Sequence, residues 1–242
     1  MKAMILAAGL GTRLKPWTDH HPKALAVVNG KTLLERNVRY LQQHGINEVI
    51  VNVHHFADQI IEAIKNNQGW GSDITISDET DLVLETGGGL MKAQWYFENA
   101  ADFVLMNADI LTDMDLGKMI ESHQAQSPLA TLAVSDRNSS RCLLFDEQQK
   151  MVGWKNNATG EERGPVTTMP DRSAIHSFAF SGVHVLSAAI FSLIQREGKF
   201  SMIDVYLDLC ASHVIQAFDH SGAILLDVGK PESLEKAAQL FL

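Results

Sequence analysis

Apolar positions along the chain fall into two alternating kinds of run. Short aliphatic stretches of strand length stand at 3–8 (AMILAA), 48–54 (EVIVNVH), 73–77 (DITIS), 102–107 (DFVLMN) and 129–135 (LATLAVS). Between them the apolar residues recur at helical spacing. Leu33, Leu34, Val38 and Leu41 do so within 31–44, with Gly45 at the helix stop, and 56–67, 87–99 and 115–126 read alike. Strand and helix in turn predict an α/β fold: a doubly wound, Rossmann-like mixed and mostly parallel sheet with helices on both faces. Ligands of such sheets bind beyond the carboxyl ends of the strands. Gly9–Arg13, Asn107–Asp109 and Asp227 each follow an apolar run, so they are expected near one another.

The pattern weakens from about 137 to 176, a polar stretch rich in turn residues. Short strands at 142–145 and 151–154 predict a hairpin followed by a long loop, of the kind that is often functional or mobile. Strand character returns at 178–186 (FAFSGVHVL) and 223–228 (AILLDV), with helices predicted at 187–197, 203–212 and 231–241.

Composition narrows the partners. The chain has 242 residues, 45% of them hydrophobic, enough for the core of one large domain. Its formal net charge of −9 argues against nucleic acid or an anionic membrane as a partner. Recognition of a phosphate must therefore come from local basic residues and backbone amides. Cys142 and Cys210 show no metal or redox spacing and are expected as free thiols in a reducing cytoplasm. The apolar start is too short for a secretory leader, and no apolar run approaches the roughly 20 residues of a membrane helix. A soluble cytoplasmic protein is expected.

Four pieces carry chemistry. In GLGTR, Gly9 and Gly11 lack a Cβ, so backbone amides can approach an oxyanion, and Arg13 can grip two phosphate oxygens. A GxG after a strand serves a plain tight turn equally well, and both the third Rossmann glycine and the P-loop GK[ST] are missing. Lys23, in HPKAL, follows the stiffening Pro22. Asp109 closes LMNAD and Asp227 closes AILLD, placements that suit an ion such as Mg²⁺ over a phosphate, or simply a turn. In LETGGGLMKA, Gly87, Gly88 and Gly89 would let the backbone lie flat against a base or sugar, and Glu85 could accept from a ligand hydroxyl. The ten histidines include no HExxH, and His20, His21, His54 and His55 read as loop residues.

In this order the pieces resemble the sugar-1-phosphate nucleotidyltransferases. GLGTRLKPWT with PKAL is similar to their GxGTRLxPxT…PKxL signature, and LETGGG, NAD and LDVGKPE stand where that family has its glycine loop and metal aspartates. The resemblance implies that Ala7, Ala8, Gly9, Gly11, Thr12, Arg13, Lys23, Gly87 and Gly88 bind a nucleoside triphosphate. It implies that Arg13 and Lys23 neutralise the phosphates during catalysis and that Asp109 and Asp227 hold Mg²⁺. Glu85, Asn107, Lys155, Ser181 and Gly182 would face the sugar. Around Lys155, however, Trp154 and Asn156 replace the glutamate and proline of an EKP-like motif, and Ser181 alters an N-A-G turn. The implied unit is a single domain over 1–242, with a nucleotide half to about 135 and a sugar half from about 136.

The implied reaction joins a sugar 1-phosphate to a nucleoside triphosphate, and pyrophosphate leaves. LETGGG and FAFSGVHVL look most like the N-acetylmuramate 1-phosphate uridylyltransferases. Mannose- or heptose-1-phosphate guanylyltransferases are the alternative. The absence of a carboxy-terminal hexapeptide repeat argues against a bifunctional acetyltransferase. A non-catalytic nucleotide-sugar sensor is the reading from another class; it would be expected to lose Arg13 or the aspartates. Oligomeric state is not legible.

Overall fold

The computed structural model describes residues 1–241. Its elements, in chain order, are β1 (Lys2–Leu6), β2 (Val27–Val28), β3 (Lys31–Thr32), α1 (Leu33–Gln43), β4 (Glu48–Val53), α2 (Ala57–Asn66), β5 (Asp73–Asp78), α3 (Glu85–Lys92), β6 (Asp102–Asn107), β7 (Ile110–Thr112), α4 (Leu116–Gln126), β8 (Ala130–Ser135), β9 (Arg141–Phe145), β10 (Met151–Asn156), β11 (Glu162–Arg163), β12 (His176–Ser187), α5 (Ile190–Leu193), α6 (Met202–Leu209), β13 (Ile215–Asp219), β14 (Leu225–Asp227) and α7 (Pro231–Leu240).

The predicted α/β sheet is present. β1 lies at its centre, parallel to β4 on one side and β6 on the other, with β5 parallel beyond β4. Side chains alternate across the pleat and both faces are covered, which is why the inner positions of β1, β4 and β6 are apolar. Ala3, Ile5, Val49, Val51, Val104 and Met106 face α1, α2 and α4, while Met4, Ile50, Phe103 and Leu105 face α3 and α6. Helices therefore cover both faces. The long β12 runs antiparallel to β6 and then crosses to pair β8 and β9, extending the sheet through the β9–β10 hairpin to β11.

Several boundaries differ from expectation. The first strand stops at Leu6, so Ala7 and Ala8 already belong to the turn. The helix expected at 187–197 is one turn, Ile190–Leu193, and the one expected at 87–99 is α3 followed by a 3-10 turn, Gln94–Phe97. Strand β13 falls between the predicted helix at 203–212 and the predicted strand at 223–228, where no element is expected, and it pairs in parallel with β8. The expected strand at 223–228 is the three-residue β14, and it joins β7 in a separate small sheet, not the edge of the main one. A third apolar cluster explains that detour. Leu14, Ala26, Val28, Leu33, Leu111, Val228 and Ala237 pack together, tying the chain after β1 to the β7–β14 pair and α7. Among the described residues no helix is long and apolar enough to cross a membrane.

Candidate active site

Past Leu6 the chain turns over the carboxyl edge of the sheet. Gly11 has φ +62°, and a Cβ there would lie 2.9 Å from Thr18 Cγ2 and 3.0 Å from Lys23 Cβ. Glycine is thus what brings the turn against Lys23. Thr18 Oγ1 donates to the Gly11 carbonyl at 3.0 Å and fixes the approach. Thr12 and Arg13 then open a single 3-10 turn, Thr12–Leu14. It is too short to bring a helix dipole, so the positive charge here comes from side chains.

Those side chains form one chain of opposite charges. Lys23 Nζ donates to Asp109 Oδ2 and stands 3.9 Å from Asp227 Oδ1, and Arg13 Nη2 stands 3.4 Å from Asp227 Oδ2. The two aspartates were expected on one edge of one sheet. Asp109 does follow β6, but Asp227 ends β14, where the antiparallel register sets it opposite Ile110. Gly229 completes the cluster, because a Cβ there would fall 2.6 Å from Arg13 Nη2 and 2.7 Å from Asp227 Oδ1. The sequence reading missed it, although LDVGKPE held the signal.

Two carboxylates converging on one cation suit a hard divalent ion such as Mg²⁺. Among the described residues no third His, Cys, Asp or Glu joins them. Phosphate oxygens and water would have to complete its coordination.

Beside this cluster opens a cavity of about 370 Å³. Of the residues expected to bind, Ala7, Ala8, Gly9, Lys23, Glu85, Asn107 and Asp109 line it. Asn52, Thr86 and Ser201 line it as well and were not anticipated. The N–H groups of Ala7 and Ala8 donate to Asn52 Oδ1 at 2.7 and 3.4 Å, so they are engaged within the protein.

The glycine run behaves differently from expectation. It is not a loop lying flat; Gly87, Gly88 and Gly89 sit inside α3. Cβ atoms on them would fall 2.4 Å from the Phe200 ring, 2.2 Å from the Gly198 carbonyl and 2.7 Å from Glu79 Oε1. The glycines let α3 press against segment 198–200 and Glu79, leaving Glu85 and Thr86 of its first turn at the cavity. Thr86 Oγ1 accepts from Met202 N at 2.8 Å, and Lys199 Nζ lies 3.6 Å from Glu85 Oε1.

The remaining residues expected at the sugar lie farther back. Gly182, at φ +74°, abuts Asn107, whose Nδ2 would be 2.9 Å from an added Cβ. Ser181 is fully buried and its Oγ is 2.7 Å from His220 Nε2, so it faces that ring and does not line the cavity. Burial pushes the His220 pKa below its ordinary value. Lys155, on β10, is outside the cavity lining, with Nζ 3.4 Å from Glu162 Oε1.

A family model described as "Nucleotidyl transferase" matches residues 2–152, well over half of the chain. The chain belongs to the nucleotidyl transferase family. Nucleotidyl transferases similar to it differ in substrate. The N-acetylmuramate alpha-1-phosphate uridylyltransferase of Caulobacter vibrioides is 30% identical over 96% of this chain and 93% of that one. The D-glycero-alpha-D-manno-heptose 1-phosphate guanylyltransferase of Campylobacter jejuni is 29% identical over 96% of both. Among solved structures, HddC from Yersinia pseudotuberculosis complexed with GMP-PN is 28% identical, with a TM-score of 0.78 over 100% of this chain and 99% of that one. The architecture is thus the nucleotide-diphospho-sugar transferase fold, and the chain is a nucleotidyltransferase enzyme.

Proposed function

We propose that this nucleotidyltransferase joins UTP to N-acetylmuramate 1-phosphate, giving the UDP-sugar and pyrophosphate. The observation that carries a phosphate-transfer site is the charge chain Arg13–Asp227–Lys23–Asp109 at the mouth of the cavity. An oxygen of the sugar phosphate attacks the α-phosphorus of the triphosphate, and pyrophosphate departs on the opposite side. Every reacting group is already anionic, so the step needs alignment and charge neutralisation more than a proton shuttle. Arg13 and Lys23 neutralise the phosphates, and the turn at Gly9–Gly11 admits them close to the backbone. Asp109 and Asp227 fit Mg²⁺, which when bound supplies further neutralisation at phosphate oxygens. Glu85 and Asn107, which line the same cavity, are assigned to the sugar.

The nucleotide is assigned to residues up to about 135, and the sugar to Glu85 and Asn107 together with the part of the chain from about 136. The free thiols of Cys142 and Cys210 agree with a cytoplasmic setting, where the nucleotide substrate is made. The muramate reading is supported by the Caulobacter relative, which is similar along nearly its whole length. The Campylobacter relative and the GMP-PN complex favour a second reading, GTP with a heptose or mannose 1-phosphate. Pyrophosphate release across four triphosphates and a panel of sugar 1-phosphates decides between them. Turnover confined to UTP and N-acetylmuramate 1-phosphate is expected; turnover confined to GTP with heptose or mannose 1-phosphate replaces it.

A further inference from the structure

Asn52 is the last but one residue of β4 and lies in register with Leu6, the last residue of β1. Its side chain is 2% exposed yet borders the cavity. Two backbone donors, Ala7 N–H and Ala8 N–H, converge on one end of its amide, which must therefore be the oxygen. The amide nitrogen then points away from the turn, and at 2.7 Å it meets Glu79 Oε1.

Glu79 is fully buried and follows β5. Among the described residues no Lys or Arg forms an ion pair with it. Burial pushes its pKa up, opposed by the hydrogen bonds from Asn52 and from Leu84 N–H, the latter at 3.4 Å. Its own backbone is pinned on both sides. Its N–H donates to the Val53 carbonyl at 2.8 Å, and its carbonyl accepts from His54 Nδ1 at 2.6 Å. A buried carboxylate without a cation is costly. Here it supplies the acceptor that leaves Asn52 only one orientation. The pair also reaches the opposite wall: a Cβ on Gly89 would fall 2.7 Å from Glu79 Oε1 and 2.9 Å from Asn52 Nδ2, so α3 rests directly on both groups.

We infer that Asn52, oriented by Glu79, is a positioning residue that sets the β1 turn against the first turn of α3 for nucleotidyl transfer. The inference rests on the reading of that turn as the triphosphate site. The 3-10 turn Thr12–Leu14 and the Thr18 hydrogen bond hold only the far side of the turn, and β1 ends before Ala7. Two of its amides are held by Asn52 alone, and Asn52 is held by Glu79.

A donor swap tests this. Asn52→Asp sets a second carboxylate against Glu79, and adding Glu79→Gln returns a donor facing an acceptor with the direction of the bond reversed. Asn52→Asp is expected to lower kcat/KM for the triphosphate about tenfold or more. It should also remove hydrogen-exchange protection at the Ala7 and Ala8 amides, read by NMR. The double variant is expected to recover both, to within about threefold of wild type. A double variant no better than Asn52→Asp overturns the inference, as does full turnover despite lost protection. Where Asn52→Asp alone does not fold, the double variant decides by folding and turning over, or failing to. Arg13→Ala assayed in parallel separates the two readings. Where the double variant fails to recover, loss of turnover in Arg13→Ala keeps the triphosphate site and only the positioning inference falls; wild-type turnover in Arg13→Ala means that the triphosphate site itself is misassigned.

Discussion

The backbone N–H of Val228 donates to the carbonyl oxygen of Asp109 at 2.8 Å. That one bond continues the β7–β14 ladder up to the end of β6, and it seats Asp227 beside Asp109 although the two are far apart in the chain. Lys23 then finds both carboxylates within reach.

The first prediction concerns that cluster. Asp109→Asn keeps the shape but removes a charge facing Lys23. Turnover is expected to fall about a hundredfold or more, by analogy with the loss of one preorganised charge-stabilising group. Pyrophosphate release under saturating substrates checks it, and an undiminished rate would remove Asp109 from the machinery.

Gly229→Ala is expected to separate activity from stability. The new methyl must displace the Arg13 guanidinium, which has a half-exposed side chain and can swing into water. An exposed ion pair contributes little, so unfolding free energy should change by less than about 1 kcal/mol. The KM for the triphosphate should nevertheless rise severalfold. A urea titration beside steady-state kinetics reads both quantities.

Gly88→Ala should act in the opposite sense to its helix propensity. Alanine favours an α-helix over glycine by about 1 kcal/mol. Here its Cβ meets the Gly198 carbonyl at 2.2 Å, and a backbone atom yields less readily than a side chain. Overpacking of this kind costs about 1–3 kcal/mol. Net destabilisation in urea is therefore expected; a more stable variant would mean that segment 198–200 moves aside freely.

His184 predicts a pH dependence of stability. It is 2% exposed, with Nδ1 2.6 Å from Tyr206 Oη, and burial lowers its pKa from 6.5 to about 3. The unfolded chain takes up a proton as pH falls below 6.5, while the native state does so only near 3, so stability is lost between those values. At pH 5 the loss from this residue is about 2 kcal/mol. Urea unfolding at pH 7 and pH 5 should show that much more acid sensitivity in wild type than in His184→Gln, and equal sensitivity would contradict it.

The central sheet was legible because its strands are buried on both faces and so read as unbroken apolar runs such as DFVLMN. α1 was legible through its spacing and through Gly45 at its stop; the structure adds a cap, Thr32 Oγ1 accepting from Glu35 N–H at 3.0 Å. α5 was expected longer than its one turn, and β13 was not anticipated. A short apolar run such as VIQAF fits either period, and only its neighbour β8 on the sheet settles that it forms a strand.

The sequence by itself determined the α/β alternation and the glycine turn after β1, and it singled out Arg13, Lys23, Asp109 and Asp227 as candidates for phosphate chemistry. Local residue types carry those properties, and a motif spells them out along the chain. Only the tertiary structure decided what each of these groups meets. It placed Asp227 on a second small sheet, turned the GGG run into a packing surface for Phe200, and gave Asn52 and Glu79 a task that no spacing announces. Those outcomes depend on register and on contacts between distant segments. Such contacts form when the apolar cluster of Leu14, Leu111 and Val228 closes, and single-residue periodicity carries no record of them.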